Sequence, residues 1–324
     1  MYELQQRHQQ FCDFCLGFRD LSHRTIGSYK DSLKQYLKFS EAETLEDFNR
    51  ASIIAWIMHS KRELNWSPKT IHIRVGDMKA FAKWCISEGH IDQNPIDGLQ
   101  LPEIKHKEPD FFDEDELDNL LTVVDDYPYD CKWERRRANA IFCFFIMTGV
   151  RKSELLNIYR EDVSLEKGEV FIREGKNRRQ RYIYFNSSLR HVLQLYLEDR
   201  KKIKSTCPYF FASTENPMGK LNVSALQRLF TKISKAYGAR VHPHKLRHSY
   251  ATHMLTRGVE KHEATRQMGH KHSKSIDVYT HVCDRSLRLK INKSGYNCAS
   301  AQSKQTHALY RYDDNDIARY LSKR

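Results

Sequence analysis

The chain has 324 residues, 40% of them hydrophobic, and 54 Lys+Arg against 41 Asp+Glu give it a formal charge of +13 and a pI near 9.3. That length supports a sizeable core, expected here as two ordinary domains, and the charge points to a polyanionic partner, either nucleic acid or an acidic membrane surface. No apolar run approaches the ~18 residues of a membrane span, the first ten residues are polar rather than a signal peptide, and eight cysteines are too few for a disulfide scaffold, so a cytosolic protein is expected.

Residues 1–105 contain 14 Lys+Arg and 14 Asp+Glu, so the whole excess charge, and with it the main anion-binding surface, belongs to the remainder. Residues 1–93 read as a domain of four helices. Leu4, Phe11, Cys15 and Phe18 make one apolar stripe, and Ile26, Tyr29, Leu33, Tyr36 and Leu37 make a second at helical spacing. Ser67-Pro68 pairs a good N-cap with a residue suited to the first helical position, opening a helix that carries Ile71, Val75, Met78, Phe81, Ala82 and Cys85 and ends near Gly89. Cys12 and Cys15 lack the second CxxC that a four-sulfur zinc site needs. No repeat of 20 to 50 residues is present, which disfavours a solenoid.

Residues 94–110 are rich in proline and read as an extended linker. The acidic DEDELDNLL then suits a helix start, and IFCFFIMTGV, residues 141–150, is the most apolar stretch and predicts a buried helix. In GEVFIREGKNRRQRYIYF, residues 168–185, two β-rich runs flank a basic segment, which predicts a hairpin with a basic tip. From 187 the pattern reads as helical through the basic RKKIK run to Tyr237-Gly238. A further helix or two is expected within 242–270. The fold class is therefore mainly α with a small β-sheet, a helical N-terminal domain preceding an α+β domain over 111–299 and an extension over 300–324.

HPHKLRHSYATHML, residues 242–255, concentrates the chemistry. A helix from Pro243 puts His244 and Arg247 one turn apart on one face, while Leu246, Tyr250 and Met254 form a core stripe. His244 and His248 have the spacing of a helical zinc pair, but the glutamate of HExxH is absent; a basic surface helix is the plainer alternative. Upstream, TGVRKSELLNI places Arg151 after the buried helix, with Gly149 allowing the backbone to bend or pack closely. Two arginines and a histidine from distant segments would clamp a phosphate, because the planar guanidinium donates two parallel hydrogen bonds and stays charged at any working pH. Downstream, MGHKHSKSIDVYTHV contains His270 and Tyr279; spacing alone does not separate Tyr279 from the other tyrosines among the chain's 17, most of which must pack.

The ordered set TGVRKSEL, GKNRRQR, HKLRHSYATHML and MGHKHSKSIDVYTHV, over about residues 5–295, closely resembles the tyrosine recombinases, the integrase family of Xer and phage-type enzymes. The resemblance implies that Tyr279 attacks a scissile DNA phosphate to give a 3′-phosphotyrosyl link, with no metal or other cofactor. Arg151 and Arg247 match the family's phosphate-holding arginines, His244 and His270 its two histidines, and Lys176 the hairpin lysine that protonates the leaving 5′-oxygen, although Arg178, Arg179 and Arg181 lie beside it. Glu154 matches an acidic position that orients the first arginine; read from sequence alone, it is equally an ordinary solvent-facing helix residue.

By the same resemblance residues 1–93 are a core-binding, SAM-like domain with Lys69, Arg74 and Lys79 as candidate DNA contacts, joined at the hairpin by Arg178 and Arg179. The partners implied are double-stranded recombination sites, three further copies in a tetramer that exchanges C-terminal helices from 284–295, and an accessory protein. With only a few residues before the helical domain, the expected type is compact, Xer-like or transposon-resolvase-like. The rivals are a relative that binds its site without cutting it and a type IB topoisomerase. The tail, with Asp314 or Asn315 placed to cap a helix bearing Ile317, Tyr320 and Leu321, is expected to bind a partner or another copy.

Overall fold

The computed structural model describes residues 2–104, 110–173, 180–202, 205–213, 216 and 219–269. They form two compact units, divided between residues 107 and 108. In the first, helices α1 (Glu3–Gly17), α2 (His23–Ser40), α3 (Arg50–Arg62) and α4 (Pro68–Ser87) enclose a core that includes Phe11, Tyr36, Trp56, Met78 and Phe81. Burying each such side chain contributes about 2 kcal/mol. The start of α4 is fixed locally: the Ser67 hydroxyl accepts from the Thr70 amide at 3.2 Å, and Pro68 occupies the first turn.

Two expectations for this unit need correction. Phe18 is 80% exposed, because α1 stops at Gly17 and the chain turns before the stripe can extend to it. The stretch read as linker begins as part of the first unit: Ile96 is buried in its core and the His72 ring bonds the Pro102 carbonyl at 2.9 Å. Ile96, with Leu99 and Leu101 packed on the same core, follows no helical or strand spacing, so this anchoring is invisible to a pattern search.

The second unit comprises α5 (Glu114–Asp126), α6 (Lys132–Thr148), the short α7 (Lys152–Leu156), an antiparallel sheet of β1 (Val163–Ser164), β2 (Glu169–Ile172) and β3 (Arg181–Tyr184), then α8 (Ser187–Lys202), α9 (Val223–Tyr237), α10 (Pro243–Thr256) and α11 (Lys261–Met268). Asp113 and Glu116 make a reciprocal capping box at the acidic start of α5. α6, which ends in the apolar run, packs against α5, α8 and α10 and supplies fully buried Ile141, Phe142, Phe144 and Phe145.

The hairpin is present with Val170 opposite Ile183 and Phe171 opposite Tyr182, while its tip lies outside the described residues. The continuous helical reading from 187 to 238 is corrected. Between α8 and α9, Phe211 and Leu221 pair by a backbone bond and Phe210, Phe211 and Ala212 are buried. Pro208 and Gly219 oppose a helix there, and the buried Arg200 guanidinium collects the carbonyls of Cys207, Tyr209 and Phe210, holding the non-helical course.

Candidate active site

Helix α6 ends because Gly149 takes a left-handed conformation (φ +59°). A side chain there would also collide with a neighbour, since a Cβ would lie 2.3 Å from Tyr250 Cδ1. This turn delivers Arg151 to the start of α7. Its amide donates to Glu154 Oε2 at 3.0 Å and its Nη1 to Glu154 Oε1 at 2.8 Å. Glu154 is only 2% exposed, so of its two sequence readings the structure places it as a buried partner of the arginine and not as a solvent-facing residue.

A second arginine occupies the same carboxylate. Arg181, first residue of β3, sets Nη1 and Nη2 each 2.9 Å from the two Glu154 oxygens. Burial pushes the Glu154 carboxyl up, but the guanidiniums of Arg181 and Arg151 and the Arg151 amide overcome it and hold the carboxyl down at about 2.

α10 begins at Pro243, as the sequence predicts, with the His242 side chain accepting from the Lys245 amide. Arg247 is buried and spans two helix ends, with Nη1 on the Gly149 carbonyl at 2.5 Å and Nη2 on the Met268 carbonyl at 2.7 Å. The end of α11 thus receives three arginines on three successive carbonyls: Arg181 Nε on Gln267 at 3.1 Å, Arg247 on Met268, and Arg151 Nη2 on Gly269 at 2.8 Å. Carbonyls at a helix C-terminus lack partners within the helix and form the negative end of its dipole, so cations are favoured there. Arg151 and Arg247, 96 positions apart in sequence, are brought together by this shared anchor. The side chain of Arg151 is still 22% exposed, and a guanidinium has five N–H donors, so the cluster can present fixed donors to a phosphate.

His244 stands on the first turn of α10, exposed, with its ring 4.3 Å from that of His248. Burial, then the proximity of His244, pushes His248 down to about 4. Among the described residues no group of three metal-ligating side chains gathers around this pair.

Lys176, Arg178, Arg179, His270 and Tyr279 lie outside the described residues, as do the 284–295 helix and the 300–324 tail, so the geometry places only Arg151, Glu154, His244 and Arg247 of the expected catalytic set. The three expected contacts on α4 do not share a face. Steps of five residues turn a helix by ~140°, Lys69 is exposed, Arg74 bonds the Ser32 hydroxyl at 3.2 Å, and Lys79 pairs with Asp97 at 2.7 Å. Arg181 is the residue that sequence reasoning passed over. Its signal was present: it shares the inward face of β3 with buried Ile183, where an arginine needs a carboxylate.

Comparison with known proteins gives a consistent picture. Residues 110–285 match the phage integrase family and residues 9–89 match the phage integrase N-terminal SAM-like domain. The chain is 28% identical over 302 residues to the tyrosine recombinase XerC of Oceanobacillus iheyensis, covering 91% of this chain and 97% of that one. It is 30% identical over 289 residues to XerC of Bacillus pumilus, covering 86% and 92%. Among solved structures, a XerH site-specific recombinase bound to a palindromic difH substrate superposes with a TM-score of 0.68 at 20% identity, covering 89% of this chain and 84% of that one. No helix among the described residues is long and apolar enough to cross a membrane.

Proposed function

The chain belongs to the phage integrase family and is a tyrosine recombinase, an enzyme that breaks and rejoins DNA strands at specific sites, and from that premise we propose which of its residues carry the reaction. The phenolic oxygen of Tyr279 attacks the scissile phosphorus. The bond from phosphorus to the 5′-oxygen breaks, leaving a 3′-phosphotyrosyl ester and a 5′-hydroxyl. The ester retains the energy of the cleaved bond, so rejoining needs no nucleotide hydrolysis and no cofactor is invoked.

Arg151 and Arg247 hold the non-bridging oxygens while charge builds on the five-coordinate phosphorus. Lys176 gives its proton to the departing 5′-oxygen. His244 and His270 hydrogen-bond the phosphate or take the nucleophile's proton, and Glu154 orients Arg151. Residues 1–93 act as the core-binding domain and 111–299 as the catalytic domain, four copies working in the cytoplasm on paired sites with C-terminal helices exchanged from 284–295. The observation that carries this reading is the convergence of Arg151 and Arg247 on the carbonyls of Met268 and Gly269, immediately before His270.

The test is covalent trapping. A random library of nicked duplexes is incubated in EDTA with the wild-type protein and with Tyr279→Phe. The expected result is a protein–DNA adduct from the wild type alone, and sequencing of the trapped DNA gives the site. Gel shifts without an adduct from either protein would leave a binding-only relative, and relaxation of plasmids irrespective of sequence would indicate a topoisomerase.

A further inference from the structure

We infer that Arg181 is a positioning residue of the recombination reaction, setting Arg151 through the Glu154 carboxylate and the end of α11 through the Gln267 carbonyl. The inference rests on the reading of Arg151 as a phosphate-holding group. It is carried by three bonds from one guanidinium. Nη1 and Nη2 lie flat against both Glu154 oxygens at 2.9 Å, and Nε reaches the Gln267 carbonyl at 3.1 Å. The carboxylate it fixes also accepts the Arg151 amide and Nη1, so a shift of Arg181 transmits to Arg151 through a shared, buried group.

The fit is tight on the other side as well. Gly269 has φ +64°, and a Cβ there would lie 2.7 Å from Arg181 Cζ, so the guanidinium occupies the space a side chain would take one position before His270. Arg181 also opens the strand that returns from the Lys176 segment. A planar fork can satisfy two carboxylate oxygens and a carbonyl at once; an ammonium is a point charge and cannot. Arg181 spends its observed bonds within the protein and is not assigned a contact to DNA.

The test compares wild type, Arg181→Lys, Glu154→Gln and the double variant by single-turnover adduct formation on nicked duplexes from the trapping library, with DNA affinity and melting temperature measured in parallel. The expected result for Arg181→Lys is a rate of adduct formation at saturating DNA lowered by about tenfold or more, with half-saturating DNA unchanged. The loss in the double variant should fall well short of the product of the two single losses, because both substitutions act on one shared carboxylate. A folded Arg181→Lys as fast as wild type would overturn the inference and leave the recombinase reading standing. Losses that multiply in the double variant, or a rate that falls only in proportion to the folded fraction, would also overturn it. Absence of an adduct even from wild type would overturn the functional reading and this inference with it.

Discussion

Replacing Glu154 by Gln keeps the shape of the side chain and removes its charge at the point where two arginines meet. The two carboxylate oxygens accept four hydrogen bonds, two each, from the Arg151 amide, Arg151 Nη1 and both Arg181 Nη atoms. Whichever way the glutamine amide turns, its NH2 faces two donors, so two bonds are lost and two N–H groups oppose it. The folded protein holds this carboxyl at about 2 against an ordinary value of 4.5, a difference equivalent to about 3 kcal/mol. Because the folded value is depressed, the stabilisation is complete above about pH 4.5 and is lost as pH falls toward 2. Urea unfolding followed from pH 7 to pH 3 should therefore show Glu154→Gln less stable by about 3 kcal/mol at neutral pH, with the gap closing below pH 4.5. A gap under about 0.5 kcal/mol at pH 7, or one that stays constant down to pH 3, would refute the reasoning.

Gly149→Ala combines left-handed strain with the 2.3 Å approach to Tyr250 and should cost about 2–4 kcal/mol in urea unfolding. Gly238→Ala, with similar strain at φ +79° but nothing within 4 Å, should cost only about 1 kcal/mol. Arg200→Met leaves the carbonyls of Cys207, Tyr209 and Phe210 without their donor and should lower stability by about 3 kcal/mol or more, read as a shift in urea midpoint. Burial, then the charge of Lys30, pushes His8 down to about 4 from 6.5. The unfolded chain therefore takes up the proton first, and stability contributed here falls as pH drops from about 6.5 toward 4, by about 3 kcal/mol in all. In His8→Phe that slope should flatten, checked by unfolding at pH 7, 5.5 and 4.

Local signals were the legible ones. Ser67-Pro68 and the acidic run from Asp113 announce helix starts by chemistry that acts within four residues, and the structure has starts at both, while Gly149, expected to let the backbone bend, ends α6 two residues short of the end of the 141–150 run. The apolar run of α6 and the period change at the hairpin were equally readable. What the sequence concealed depends on contacts between distant segments. The inward position of Arg181 on β3 is readable, but the partner it needs is not, because that carboxylate is 27 positions upstream. Residues 205–213 read as helix, and part of the reason they are not is Arg200, whose side chain binds the carbonyls of Cys207, Tyr209 and Phe210 from the end of α8. Phe18 fitted the apolar stripe of α1, and only the helix's stop at Gly17 removes it from the core.

The arginines at the end of α11 are gathered by a row of backbone carbonyls and by one carboxylate. Arg151 and Arg181 meet at the Glu154 carboxylate, and all three guanidiniums also bond backbone carbonyls, which carry no net charge. Folding therefore fixes where these cations stand before any DNA arrives, so that ordering them adds nothing to the cost of binding. Binding DNA should then stabilise this unit by mass action while leaving the arrangement of its arginines as it stands.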